Sequence, residues 1–320
     1  MKRKVTVVGG AGNVGATVAR QIAEKELADV VIIDIAESKA AGIGLDIYET
    51  CPIIGSDVRV IGGADWAPAA GSDIVVITSG KPRGPNMSRD DLVRDNFNIM
   101  KSIAPRLVEH TPDAIIIPVA NPLDAMAQAL FKLTKFPKQR IIGMAGVLDS
   151  ARMSTFIAME LGVSVENVSS FVLGGHGDTM VPVIEYSTVA GIPIPDLVKM
   201  GWSTQDKVDA IVDRTRKGGG EIVALLGTGS AYYAPATSAI AMAESFLKDK
   251  KRLLPCAAHL TGQYGVDDLY VGVPVVIGAG GVERIAEIEL NETAKANFDV
   301  SVAAVKGLLV ACKGIDGSLG

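Results

Sequence analysis

Lys4-Val5-Thr6-Val7-Val8-Gly9-Gly10-Ala11-Gly12-Asn13-Val14-Gly15 decides the fold. A Val-rich run passes without a break into a glycine turn, and the amphipathic stretch Val14–Lys25 (VGATVARQIAEK) follows. Gly10, Gly12 and Gly15 give the spacing G-x-G-x-x-G between a strand and a helix. In that pattern the first glycine permits a tight turn and the second lets backbone approach a pyrophosphate. The third lets the helix pack closely on the strand, with the pyrophosphate at the positive end of the helix. Alone, the turn is weak evidence, because glycine turns also serve packing. Asp34 strengthens it, closing the run Val30–Ile35 (VVIIDI) where a carboxylate would accept from adenosine ribose hydroxyls. A P-loop is excluded because Ala16 and Thr17 follow Gly15 in place of its lysine. A carboxylate there would also repel a ribose phosphate, so NAD is expected over NADP. The cofactor-binding candidates are Gly10, Ala11, Gly12, Asn13, Val14, Gly15 and Asp34.

Outward from that turn, the first half repeats the same design. Val58–Ile61 (VRVI), Asp73–Ser79 (DIVVITS), Ala114–Val119 (AIIIPV) and Arg140–Gly143 (RIIG) are further β-branched runs, with helical stretches such as Asp91–His110 between them. Near-continuous Val/Ile runs suit strands buried on both faces of a parallel sheet, and strand-helix-strand repetition implies right-handed crossovers. After Gly146 the texture changes to longer helical segments, Asp149–Leu161, Gln205–Leu226, Pro235–Lys248 and Glu292–Cys312, separated by Gly-rich turns. The expected class is α/β: a Rossmann-type doubly wound parallel sheet in residues 1–146, then an α+β catalytic domain in 147–320.

Bulk properties exclude several classes. With 320 residues, 48% hydrophobic and 21% charged, the composition is that of a compact soluble protein. A net charge of −5 argues against nucleic acid as partner. No apolar run approaches the ~18 residues of a membrane span, and Val5–Val8 behind Lys2, Arg3 and Lys4 is too short for a signal-peptide core. Cys51, Cys256 and Cys312 are odd in number, far apart and without a CxxC pair, which fits buried thiols in the cytoplasm and no metal site.

Three histidines exist. His110 sits at an expected helix end, and His259 in an apolar segment reads as a core residue. His176 stands apart, in Leu173-Gly174-Gly175-His176-Gly177-Asp178, where flanking glycines can present an imidazole to a cleft. Imidazole titrates near neutrality and can exchange a proton with an alcohol. Asp149 and Arg152, in Gly146–Arg152 (GVLDSAR), lie three apart on one face of a helix start, a pattern that by itself means capping and a local ion pair. Asn121-Pro122-Leu123-Asp124 follows a strand, where an open α/β sheet binds its ligands.

Together VVGGAGNVGA, TSGKPRGPNMSRDDL, PVANPLD, GVLDSAR and LGGHGDTMVP stand in the order and spacing of the lactate/malate dehydrogenase family, which the chain resembles over nearly its whole length. It looks most like the lactate-dehydrogenase-like malate dehydrogenase branch. The resemblance implies His176 as acid/base and Asp149 as the carboxylate that orients it. It implies Arg152 as a fork on the substrate's 1-carboxylate, Arg89 polarising the carbonyl, and Asn121 as a substrate-binding amide that also touches the nicotinamide side. Asn96, Val119 and Ala120 fall at family cofactor contacts, and Ser230 at the pocket wall. Gly80–Arg89, by composition a solvated basic loop, matches the family's mobile lid. Lactate enzymes carry Gln where Arg83 stands and malate enzymes Arg; a buried Arg needs a carboxylate, which oxaloacetate has at C4 and pyruvate lacks.

The implied activity is therefore NAD-dependent interconversion of malate and oxaloacetate by a homo-oligomer, a tetramer ahead of a dimer. Lactate dehydrogenase is the nearest alternative, disfavoured by Arg83. A non-catalytic NAD-binding protein would have dispensed with His176, Asp149 or the arginines. An NAD-dependent glycosidase on a related fold is disfavoured by the same residues and by the lack of a metal-ligand cluster.

Overall fold

The computed structural model describes residues 2–82 and 88–317, with only the backbone of Arg89. Strands β1 (Lys4–Val8), β2 (Asp29–Ile33), β3 (Val60–Gly63), β4 (Ile74–Ile77) and β5 (Ile115–Pro118) form one parallel sheet in the order β3-β2-β1-β4-β5. Helices α1 (Asn13–Glu24), α2 (Glu37–Ile54), α3 (Arg89–His110) and α4 (Leu123–Thr134) connect or follow these strands. Every residue of β4 and β5 is buried, which explains why the central runs show no polar alternation. The order reverses between β1 and β4, so their carboxyl ends open on one crevice, where the glycine turn and Asn121 lie.

The sixth expected strand, Arg140–Gly143, is not one. Lys138–Arg140 is a 3₁₀ turn, Ile141 makes a single parallel bridge to Ile116, and Gly143 bridges antiparallel to Ala257. The segment divides its backbone hydrogen bonds between two sheets, so it links them and joins neither as a strand.

The second half is α+β, as expected. After α5 (Gly146–Leu161), strands β6 (Val168–Leu173), β7 (Val181–Val189) and β8 (Ile192–Pro193) form one antiparallel sheet. Helices α6 (Ile194–Lys199), α7 (Gln205–Leu226) and α8 (Tyr233–Leu247) follow. A second antiparallel sheet holds β9 (Arg252–Thr261), β10 (Asp267–Gly278) and β11 (Gly281–Ile285), and α9 (Glu292–Ile315) closes the chain. One apolar core runs through both halves, joining Val5, Val7 and Ile32 to Leu173, Val271 and Phe298. Gln128 on α4 adds a polar tie, accepting from the Tyr270 N–H at 3.0 Å.

All three cysteines are buried and unpaired, and burial pushes the Cys312 thiol up to about 11. Among the described residues, no helix is long and apolar enough to cross a membrane, and no cluster of His, Cys, Asp or Glu could hold a metal ion.

Candidate active site

The glycine turn holds its shape for reasons the sequence states only in part. The left-handed residue is Gly9 (φ 83°), one position before the G-x-G-x-x-G spacing begins. Gly10 is required instead by packing, because a Cβ there would sit 2.5 Å from Ile32 Cγ2. At Gly15 a Cβ would meet Gly10 Cα at 2.6 Å and Thr78 Oγ1 at 2.7 Å, so α1 could not approach β4. Thr78 Oγ1 donates to the Val8 carbonyl at 3.0 Å, tying the turn to the neighbouring strand end.

Gly12 and Asn13 are exposed at the start of α1, Val14 is half-buried, and Ala11 is buried. The first turn of α1 has neither a side-chain cap nor an acidic residue, leaving the positive helix end free for a pyrophosphate. Asp34 lies across the turn: Oδ2 accepts from the Ala11 N–H at 3.0 Å, and Oδ1 from the Ala36 N–H at 3.0 Å. Each oxygen keeps a lone pair for a ribose hydroxyl. Beyond it Ile35 is fully exposed, an apolar surface beside the Asp34 carboxylate. These residues fit a dinucleotide.

At the far end of the crevice Asn96 is wholly buried and spent on the protein. Its Oδ1 accepts from the Lys81 N–H at 2.7 Å, and its Nδ2 donates to the carbonyls of Lys81 (3.0 Å) and Asn121 (2.6 Å). It clamps the root of the loop that leaves β4 to the turn that leaves β5. Val119 is half-buried, Ala120 buried, and the Asn121 side chain exposed.

Asp149, His176 and Arg152 come together. Asp149 is 1% exposed; its Oδ2 lies 2.7 Å from His176 Nδ1, and its Oδ1 accepts from Arg152 Nη1 at 3.1 Å. The local ion pair expected at a helix start exists, but α5 has no side-chain cap, because the carboxylate turns to the histidine. Two serine contacts fix α5 against β6: Ser150 Oγ accepts from the Val172 N–H at 2.9 Å, and Ser170 Oγ donates to the Ser150 carbonyl at 2.8 Å. Burial works against the imidazolium, but the Asp149 charge and hydrogen bond outweigh it, so His176 titrates above its ordinary 6.5.

Backbone anchors hold the His176 loop. Gly174 exchanges two hydrogen bonds with Gly272 of β10, at 2.8 and 3.0 Å. The Gly175 N–H donates to Ser301 Oγ of α9, and the His176 N–H to Asp124 Oδ2 of α4, each at 2.8 Å. Asp124, quoted in PVANPLD but given no role there, and Ser301 are additions from the structure. A second addition is Gly218-Gly219 of α7. A Cβ on Gly218 would stand 3.2 Å from Arg152 Cδ, and one on Gly219 would stand 3.7 Å from Arg152 Nη2. Glycines inside a helix are a signal, since they cost helix stability and imply close approach.

The remaining expectations fall elsewhere. Arg83 lies outside the described residues, and the Arg89 side chain likewise; Arg89 is the first residue of α3, after a Ser88–Asp91 capping box. Ser230 is exposed between α7 and α8, and among the described residues no hydrogen bond joins it to the His176 group. His110 ends α3, and His259 is buried with Nε2 2.9 Å from Asp268 Oδ1 while its Nδ1 has no partner among the described residues.

A dinucleotide turn on a 3-2-1-4-5 sheet, followed by an α+β half with a buried Asp-His-Arg group, narrows the relatives sharply. The model of the lactate/malate dehydrogenase NAD-binding domain matches residues 3–143, and that of the family's alpha/beta C-terminal domain matches 146–310. The chain belongs to the lactate/malate dehydrogenase family. Its cofactor is NAD. Malate dehydrogenase of Caulobacter vibrioides is 57% identical over 318 residues, 99% of each chain. Among solved structures, malate dehydrogenase of Cryptosporidium parvum is 42% identical with a TM-score of 0.96, covering 98% of this chain and 100% of that one. Lactate dehydrogenase of the same organism, complexed with lactic acid and NAD, is 41% identical with a TM-score of 0.94 over 99% and 98%. Both substrate branches of the lactate/malate dehydrogenase family therefore share this backbone, and side chains must decide between them.

Proposed function

We propose that this enzyme interconverts (S)-malate and oxaloacetate, with His176 as the acid/base. One observation carries the mechanism: Asp149 engages His176 Nδ1 at 2.7 Å, leaving Nε2 for the substrate oxygen. In the neutral imidazole, Nδ1 donates to Asp149 and Nε2 accepts the C2 hydroxyl proton. Asp149 stabilises the imidazolium that results. Bound NAD supplies the hydride acceptor, and its reduced form the donor, at the nicotinamide. Arg152 receives the 1-carboxylate; its Nε is buried without an acceptor among the described residues, an incompletely paired guanidinium suited to a second carboxylate. Asn121, exposed at the end of the β5 turn, binds the substrate, with Arg89 polarising the C2 carbonyl and Ser230 at the outer wall. Gly10 to Gly15 and Asp34 hold the pyrophosphate and ribose; Asn96, Val119 and Ala120 shape the nicotinamide end.

Malate over lactate rests on Arg83, which needs the C4 carboxylate that pyruvate lacks. The name of the Caulobacter relative supports the same choice. The deciding assay follows NADH oxidation with oxaloacetate and with pyruvate, in the wild type, His176→Asn and Arg83→Gln. Oxaloacetate should be preferred. His176→Asn should lose on the order of a thousandfold in kcat while still binding NADH, and Arg83→Gln should move the preference towards pyruvate by tenfold or more, on the order expected when a buried charge loses its partner. Near-normal turnover by His176→Asn would refute the acid/base role, and an unmoved ratio in Arg83→Gln the specificity role.

The same reading divides the chain at 146 into a cofactor and a catalytic domain and sets the enzyme in the cytoplasm, in agreement with its buried unpaired cysteines. It also makes the protein a homo-oligomer, a tetramer ahead of a dimer. Exposed Leu45, Tyr48, Ile53 and Ile54 on one helix, α2, support self-association; sedimentation of a monomer at micromolar concentration would contradict it.

A further inference from the structure

Asp124 is a second carboxylate at the histidine, and the acid/base reading leaves it without a task. It sits in the first turn of α4, where an aspartate ordinarily caps its own helix, yet α4 has no side-chain cap. Instead the side chain crosses from the cofactor half to the catalytic half. It is 2% exposed, its Oδ2 accepts the His176 N–H at 2.8 Å, and its Oδ1 has no partner among the described residues. A buried carboxylate with one oxygen unsatisfied is costly, so its retention calls for a return.

We propose that Asp124 is a positioning residue of the reaction: through the His176 N–H it fixes the histidine loop to α4, and its carboxylate is the second negative charge against which the imidazole titrates. The inference rests on His176 being the acid/base. The elements packed around the pair offer few other charges. α5 presents Asp149, which contacts the imidazole, and Arg152, which pairs with Asp149; β10 and α9 present Gly272 and Ser301, which do not titrate in this range. Burial pushes the Asp124 carboxyl up to about 6, against the pull of the His176 N–H and imidazolium. Asp124 in turn favours the imidazolium, while burial and Arg152 oppose it. The charge state of each group therefore bears on the titration of the other.

The geometry separates position from charge. Asp124→Asn keeps an oxygen that accepts the His176 N–H but removes the charge; Asp124→Ala removes both. With only three histidines in the chain, isotope-labelled imidazoles can be followed by NMR in the full-length protein, and His176→Asn assigns the signal. The His176 midpoint should fall by about half a pH unit or more in Asp124→Asn, through loss of a near charge. The pH profile of kcat/KM for oxaloacetate reduction should move down with it, while kcat below the new midpoint stays within about threefold of wild type. Asp124→Ala should lose a further tenfold or more in kcat, because the loop loses its anchor, with the NADH affinity of the glycine turn unchanged.

An unmoved His176 midpoint in Asp124→Asn overturns the charge role. Equal activity of the Asn and Ala variants overturns the anchoring role. Should Asp124→Ala fail to fold, the Asn variant's midpoint and pH profile still decide. Failure of the acid/base reading is separate: His176→Asn would then turn over normally, whatever the midpoint does.

Discussion

Asp149 is the carboxylate that meets the imidazole of His176 directly, at 2.7 Å. One of its oxygens engages the His176 imidazole and the other accepts from Arg152, so carboxylate and guanidinium balance each other while the imidazole is neutral. The sign of the pH dependence follows. In the proposed mechanism reduction of oxaloacetate needs protonated His176, whose titration lies above the ordinary 6.5. Its kcat/KM should hold through neutrality and fall as pH rises through that raised midpoint, while kcat/KM for malate oxidation rises over the same range. Asp149→Asn should move both profiles to lower pH and cost on the order of a thousandfold in kcat; initial rates across pH 5 to 9 measure both. Because the folded state binds this proton more tightly than the unfolded chain, His176 adds stability at low pH that is lost as pH rises through the midpoint. His176 was legible because it alone among three histidines lies between glycines. Asp124 was not, since a carboxylate at a helix start reads as a cap until a second segment, 52 residues later in the chain, is seen to claim it.

At the scale of elements, α7 places three glycines in mid-helix with different surroundings. Gly218 is buried against Arg152, whereas Gly220 is exposed, with open space where a Cβ would go. Gly220→Ala should raise stability by about 0.5–1 kcal/mol through helix propensity and leave activity alone. Gly218→Ala gains the same propensity but presses a methyl into Arg152 Cδ, so KM for oxaloacetate should rise severalfold with little change in NADH affinity. Thermal melts with steady-state kinetics separate the two; matching KM values would show that α7 does not set the position of Arg152. The parallel strands were legible because burial on both faces leaves uninterrupted Val/Ile runs. Arg140–Gly143 misled for the same reason: its isoleucines are buried, but between two sheets. The helices α2 and α4 and the long β9–β10 hairpin went unnamed, since α4 and β9–β10 are buried on nearly every side and carry no clean period.

For the whole molecule, the fold leaves the substrate question to a few side chains, as the shared backbone of the lactate and malate relatives makes plain. The glycine turn, Asp34 and the histidine loop were legible one by one. Their common crevice was not, because it depends on how distant segments meet. The group around His176 draws on α4, α5, the β6–β7 loop, β10 and, through Ser301, on α9. That last contact carries a consequence in time. During synthesis the glycine turn and Asp34 leave the ribosome early, whereas the histidine loop waits for Ser301, 126 residues after the Gly175 it anchors. Refolding from denaturant should therefore recover NADH binding before oxaloacetate reduction, and simultaneous recovery would contradict this order. A nascent chain halted before α9 should lack the Ser301 anchor of the histidine loop and so turn over no substrate.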